Sequence, residues 1–380
     1  MVSLSSEPGR SAAAGVKQMN RSNIYMLLHK TGPMSRQSVV YTLGLSLPTV
    51  VQNLTQMQQE GLIEEAGLQS NTGGRRAMTY SIVHDFRVAI GLDITMYHVS
   101  AVVVDLQGAI LSQIRRNIAF SRTEDYFICI GTLVDELIRG AALRPEQILG
   151  VGISLPGLIN ADGTNCYYCK VLHTDSISQA EFARYIPYPV RLQHDVMSSA
   201  FAESWQGETS GSFFYIMLSH SIGGAVFLND GIYSGVNNRS GELGHMQLVE
   251  NGRLCYCGRR GCADPYCSSK PLVALTDGNL AAFFDQLEAG DPEVRRVWDE
   301  YLHFLARVIH NLRMLFDSRI VLGGHIGERI GPYIVQLKEQ VQRLDPFSDP
   351  ADCVEVCRVK TESSAVGAAL RFIDQFLTSI

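Results

Sequence analysis

The chain has 380 residues, more than one hydrophobic core usually supports, so two or three domains are expected. Apolar residues make up 46% and charged residues 18%, with 34 glycines against 13 prolines, a composition that excludes a disordered chain and suits a turn-rich α/β protein. The formal net charge of −6 excludes a surface that attracts nucleic acid everywhere and leaves room only for a local basic feature. With neither an apolar run long enough to cross a bilayer nor a charged-then-apolar leader, the chain is expected in the cytoplasm, without a membrane partner.

Residues 1–18 read as a flexible tail. From Arg21 to Lys30, Ile24, Leu27 and Leu28 recur at helical spacing until Lys-Thr-Gly-Pro stops the helix. Ser35 can cap a second helix carrying Val39, Val40 and Leu43, which Gly44 breaks. Ser46 caps a third with Pro48 in its first turn. In this third helix Val50, Leu54 and Met57 mark the buried face, while Pro48, Thr49, Gln52, Asn53 and Thr55 are expected to face outward. Small polar groups at a helix N-terminus, Ser46 included, suit entry into a major groove. Two strands follow, Leu62–Glu65 and Met78–Ile82, joined by a tip containing Arg75 and Arg76 that suits a wing over the DNA backbone or minor groove. Residues 19–84 therefore read as a winged helix-turn-helix domain, with operator DNA as partner.

Residues 85–380 change pattern. Val88–Asp93, Val99–Val104 and Ile110–Ile114 form a β-meander, Phe127–Ala142 a helix and Ile148–Leu155 a buried strand. Pro189–Leu192 is a strand ahead of a helix from about Val196. A second strand cluster begins at Ser212, followed by a long helix Pro292–Phe316, a strand Arg319–Gly323 and a closing helix Ser364–Phe376. Two α/β lobes of similar kind are expected.

His245, Cys255, Cys257 and Cys262 place one imidazole and three thiols within 18 residues. This donor set matches a closed, tetrahedral, structural zinc site at 245–262, with Gly258 and Gly261 letting the backbone wrap the ion. Nine cysteines is an odd number that suits a metal site in a reducing compartment better than a disulfide framework. Cys166 and Cys169 have ligand spacing but no second pair. Glu242, three residues before His245, is an acceptor suited to sugar hydroxyls if the metal loop fixes it.

Gly241-Glu-Leu-Gly-His245, the His-Cys-Cys-Cys spacing and Ile153-Ser-Leu-Pro-Gly157 together resemble the ROK family of repressors, unassigned reading frames and sugar kinases. The likeness runs from about Arg21 to the C-terminus and includes the winged helix of the repressor branch. It implies a two-lobed actin-like and hexokinase-like (ribonuclease H-like) fold, a sugar between the lobes, and a homodimer or homotetramer. The family's sugar-binding Asn-Asp pair falls on His194-Asp195, its Glu-x-Gly-His on Glu242 and His245, and its acid after the last cysteine on Asp264. His194 and Asp264 depart from the usual asparagine and glutamate, so the sugar is not assumed to be glucose. The first phosphate loop reads Asp93-Ile94-Thr95-Met96-Tyr97 and the second Ser219-His220-Ser221-Ile222-Gly223-Gly224. Ile94, Met96 and His220 are expected to crowd a triphosphate, which argues against catalysis by Asp195. Gly323 and Gly324 read as a strand-to-helix turn.

The reading that joins these features is a sugar-responsive repressor of carbohydrate genes with a carbohydrate effector and no enzymatic activity. An ATP-dependent hexose kinase with a regulatory head and a ligand-independent DNA-binding scaffold are the alternatives. The absence of an Arg or Lys cluster beside the pocket residues leans toward a neutral sugar.

Overall fold

The computed structural model describes residues 8–68, 77–205, 211–229, 231–347, 351–360 and 362–380, with side chains from residue 15 onward. The N-terminal head comprises α1 (Pro8–Thr31), β1 (Met34–Ser35), α2 (Arg36–Leu43), α3 (Leu47–Gln59), β2 (Ile63–Leu68) and β3 (Met78–Ile82), with strand order β1-β3-β2. Its caps are local: Ser35 Oγ accepts from Ser38 N–H at 3.2 Å to start α2, and Ser46 Oγ accepts from Thr49 N–H at 3.3 Å to start α3. Helix α1 begins at Pro8, so from that residue on the expected tail 1–18 is helical. Ala12, Ala13 and Ala14 have the highest intrinsic helix propensity, and the helix runs on through Gly15 into the apolar turns downstream. The proposed wing tip, with Arg75 and Arg76, lies outside the described residues.

The first lobe contains β4 (Val88–Ile94), β5 (Val99–Asp105), β6 (Ile110–Arg116), α4 (Glu124–Gly140), β7 (Ile148–Leu155), β8 (Leu158–Ile159), β9 (Asn165–Tyr168), β10 (Ile177–Ser178), α5 (Gln179–Ala183), β11 (Val190–His194) and α6 (Asp195–Trp205). Its main sheet has the order β11-β7-β4-β5-β6: an antiparallel meander extended by two parallel strands. Helices cover both faces, and β5 is accordingly buried at every position. Cys166 and Cys169, which the sequence marks only by ligand spacing without a second pair, are bonded to each other as a disulfide at the end of β9.

The second lobe repeats the plan with β12 (Phe213–Leu218), β13 (Ile222–Leu228), β14 (Gly231–Tyr233), α7 (Asp264–Cys267), α8 (Lys270–Val273), α9 (Leu280–Glu288), α10 (Pro292–Phe316), β15 (Arg319–Gly323), α11 (Gly324–Gly327), α12 (Ile334–Leu344) and β16 (Val354–Val356). The order β16-β15-β12-β13-β14 matches that of the first sheet strand for strand. Its core gathers around Trp298, stacked on Tyr301 with ring centroids 5.3 Å apart.

The last helix, α13 (Ser363–Ser379), returns to the first lobe and lies between its sheet and α6. The approach is close: a Cβ on Gly367 would meet the Ser198 carbonyl oxygen at 1.7 Å. One apolar cluster joins this layer to the head, with Ile24, Tyr25 and Leu28 of α1 packing into the same core as Leu106, Phe201 and Leu370.

Candidate functional site

Parallel pairing of β11 with β7 carries the end of β11 to the cleft, and the chain turns there directly into α6. His194 is thereby the last residue of a strand and Asp195 the first of a helix. From the other lobe, the segment after β14 brings Glu242 to the same point, ahead of a single 3-10 turn over Leu243–His245. His194 Nε2 lies 3.5 Å from Glu242 Oε1, and His194 Nδ1 lies 3.3 Å from Asp195 Oδ1 without a hydrogen bond. The imidazole thus bridges two carboxylates from different lobes.

Their electrostatics differ. Burial pushes the Asp195 carboxyl above its ordinary range, only partly opposed by the charge of His194. Burial acts the same way on Glu242, but the hydrogen bond and charge of His194 outweigh it and hold that carboxyl below its usual value. For His194, burial favours the neutral ring. The hydrogen bond to Glu242 and the two negative charges overcome it, so its pKa is raised.

His194, Asp195, Glu242 and His245 line one small cavity of about 50 Å³, together with Tyr168, Lys170 and Tyr256. Asp264 does not line it. Its carboxylate is buried, accepting from the Ile222 N–H at 3.1 Å and pairing with Lys270 at 3.1 Å, so it braces the start of β13. Tyr168, Lys170 and Tyr256 escaped the sequence reading; Tyr256 carried a signal, an aromatic set between two ligand cysteines.

The metal-ligating atoms of His245, Cys255, Cys257 and Cys262 all lie within 4.8 Å of one another. His245 Nδ1 is 3.8 Å from Cys255 Sγ, and Cys257 Sγ is 3.8 Å from Cys262 Sγ. A tetrahedron with metal–sulfur bonds of about 2.3 Å has edges of about 3.8 Å, so the donors fit a metal ion of that size. Gly261 makes the loop possible, since its φ is +82° and a Cβ there would meet the Val249 carbonyl oxygen at 1.7 Å. Tyr256 Oη sits 3.3 Å from His245 Nε2 and orients the ring.

Beyond Asp195 the cavity opens into a larger chamber of about 350 Å³. The β4–β5 and β12–β13 turns face each other across it, and Tyr97 meets His220 edge-on at 6.0 Å. Met96 and His220 line this chamber as anticipated. Ile94 does not: as an interior residue of β4 it is fully buried in the lobe core. The chamber also receives Arg115 and Lys360, from opposite ends of the sequence, which a linear search for basic clusters could not bring together.

On the head, Ser46, Pro48, Gln52 and Thr55 are exposed and Thr49 is half-buried. Asn53 is not outward-facing. It sits three residues after Val50 and four before Met57, hence on the apolar stripe, and its buried amide donates to the Thr49 carbonyl at 2.8 Å. Tyr41 of α2, 92% exposed, is an addition that the sequence reading passed over.

The profile of the ROK family matches residues 89–375. The chain belongs to the ROK family. Among curated relatives of this ROK chain, the xylose repressor of Bacillus subtilis (strain 168) is 26% identical over 260 residues, 68% of either chain. The DNA-binding transcriptional dual regulator NagC of Escherichia coli (strain K12) is 24% identical over 346 residues, covering 84% of this chain and 85% of its own. A ROK family transcriptional regulator described as a homolog of the E. coli MLC protein shares the fold with a TM-score of 0.75 at 20% identity, covering 96% of this chain and 97% of that one. Among the described residues, no helix is long and apolar enough to cross a membrane.

Proposed function

We propose that this ROK protein is a sugar-responsive transcriptional regulator that binds operator DNA through its head and a carbohydrate effector between its lobes. The observation that carries this reading is α6. Its first residue, Asp195, stands in the cavity. Its last, Trp205, packs edge-on against His29 of α1 at 5.8 Å and donates from Nε1 to the Gln107 carbonyl at 3.2 Å. Gln107 Nε2 in turn donates to the His29 carbonyl at 3.0 Å, so one rigid helix ties the effector site to the head. The relatives named repressor and regulator support the same assignment.

His194, Asp195 and Glu242 would accept and donate to sugar hydroxyls, with Glu242 held by the 3-10 turn that ends at His245. His245 and the three cysteines would hold a zinc ion that supplies no chemistry beyond fixing that turn, because four protein donors would leave no open position. Phosphoryl transfer is not assigned. It depends on positioned charge around the phosphates, and the loops that would cradle them carry Met96, Tyr97 and His220. Effector binding between lobes would shift the position of α6, and with it the spacing of paired heads in a homodimer or homotetramer.

In vitro selection of duplexes by the full-length, zinc-replete protein tests DNA binding directly. Enrichment of a two-half-site sequence, with centres one helical turn or a multiple of it apart and binding reduced at least tenfold by Gln52→Ala, is the expected result. Recovery of unenriched sequence, or binding indifferent to changes on α3, would overturn the assignment.

A further inference from the structure

The small cavity and the large chamber are continuous. Pro156, Val171, Asp195, Met217 and Ser221 line both, so a ligand held by His194, Asp195 and Glu242 has open space past Asp195 rather than a wall. The chamber has the dimensions of a ligand site in its own right. Its chemistry differs from that of a phosphate cradle. Arg115 is paired with Glu362 at 3.3 Å, and Glu328 lines the chamber along with Lys360, so its walls carry carboxyls as well as cations. Asp93 and Asp195 add further carboxyls. Ser219 and Ser221 contribute hydroxyls, whereas those of Ser363 and Ser364 are bonded to Ser199. Burial lowers the pKa of His98, His220 and His325, and their ring nitrogens are open to a ligand except Nδ1 of His98, which meets Thr95. At the mouth, Tyr97 and His220 form an aromatic corner. Hydroxyls, neutral imidazoles and an aromatic edge, without surplus positive charge, match an uncharged polyhydroxylated ring.

We propose that the effector is a glycoside of at least two sugar units, a disaccharide or short oligosaccharide, with one ring at His194, Asp195 and Glu242 and the next in the chamber against Tyr97 and His220. The inference rests on the sugar-sensing assignment and specifies its ligand. It makes the degenerate phosphate loops a binding surface: the side chains that displace a triphosphate are the ones that meet the second ring. Asp195, lining both spaces, stands at the glycosidic junction.

Titration calorimetry on the full-length, zinc-replete protein with matched pairs decides the matter: glucose with cellobiose and maltose, xylose with xylobiose, N-acetylglucosamine with chitobiose, and ATP and glucose 6-phosphate as anionic probes. One disaccharide binding at least tenfold more tightly than its monosaccharide is expected, with that advantage lost in Tyr97→Ala and in His220→Ala. Tyr97 is 64% exposed, so its truncation leaves the fold intact. A monosaccharide that binds as tightly as its disaccharide, or preference for glucose 6-phosphate, overturns the two-ring inference while leaving sugar sensing in place, whereas preference for ATP overturns it in favour of the kinase. Binding of no sugar at all overturns both.

Discussion

Asp93 shows what burial does at the cleft. Burial, reinforced by the like charges of Asp195 and Glu362, raises its pKa to about 8. The unfolded chain releases this proton near the ordinary carboxylate value and the folded chain keeps it until about pH 8. The folded state therefore binds more protons across that window. Stability is full at low pH and is lost as pH rises through the folded pKa. Asp93→Asn is expected to remove the loss and raise stability by about 1–3 kcal/mol at pH 7–8, read from thermal melts across the pH range. A variant whose pH profile parallels the parent would mean that Asp93 does not hold its proton. The same scale separates residues that were legible from those that were not. Glu242 and His245 announced themselves by spacing. Asp264 shared their type yet faces Ile222 and Lys270, because the turn into α7 points it inward.

At the level of elements, caps and periodicity carried most of the fold. Ser35 and Ser46 start α2 and α3 because their hydroxyls meet backbone donors within the same turn, a relation written entirely in neighbouring residues. Asn53 failed for a related reason: a polar residue on an apolar stripe is buried if its amide finds a local carbonyl, as it does at Thr49. The cysteine loop is the element most dependent on a partner. Cys262→Ala, or extraction of the metal, is expected to lower stability by about 2–4 kcal/mol, several degrees in the melting temperature, and to weaken effector binding, since His245 ends the turn that begins at Glu242. Metal analysis should return one zinc per chain for the parent and less for the variant. A metal-free protein that melts at the parental temperature would count against a structural role.

For the whole molecule, the decisive feature is continuity of packing. The head shares a core with α6 and α13, and His29 Nε2 lies 2.7 Å from the Leu106 carbonyl oxygen. Motion of α6 therefore meets α1 through packed side chains rather than a flexible tether. Trp205→Leu is expected to leave operator affinity without effector within about threefold of the parent and to reduce the effector-induced change at least tenfold, a coupling loss of about 1.4 kcal/mol or more. Gel-shift titrations with and without the disaccharide identified by calorimetry provide the measurement. A full response in the variant would place the coupling elsewhere.

The sequence alone determined the two capped helices of the head, the main strands of the first lobe and the donor set of one histidine and three cysteines, because each depends on residues within one turn, one strand or one short loop. The tertiary structure alone decided that His194 bridges Asp195 and Glu242, that Arg115 and Lys360 enter one chamber, and that the head and lobe share a core. Except for the neighbours His194 and Asp195, those relations join residues tens to hundreds of positions apart. They exist only once parallel strand pairing and the return of α13 have fixed which ends of the elements meet.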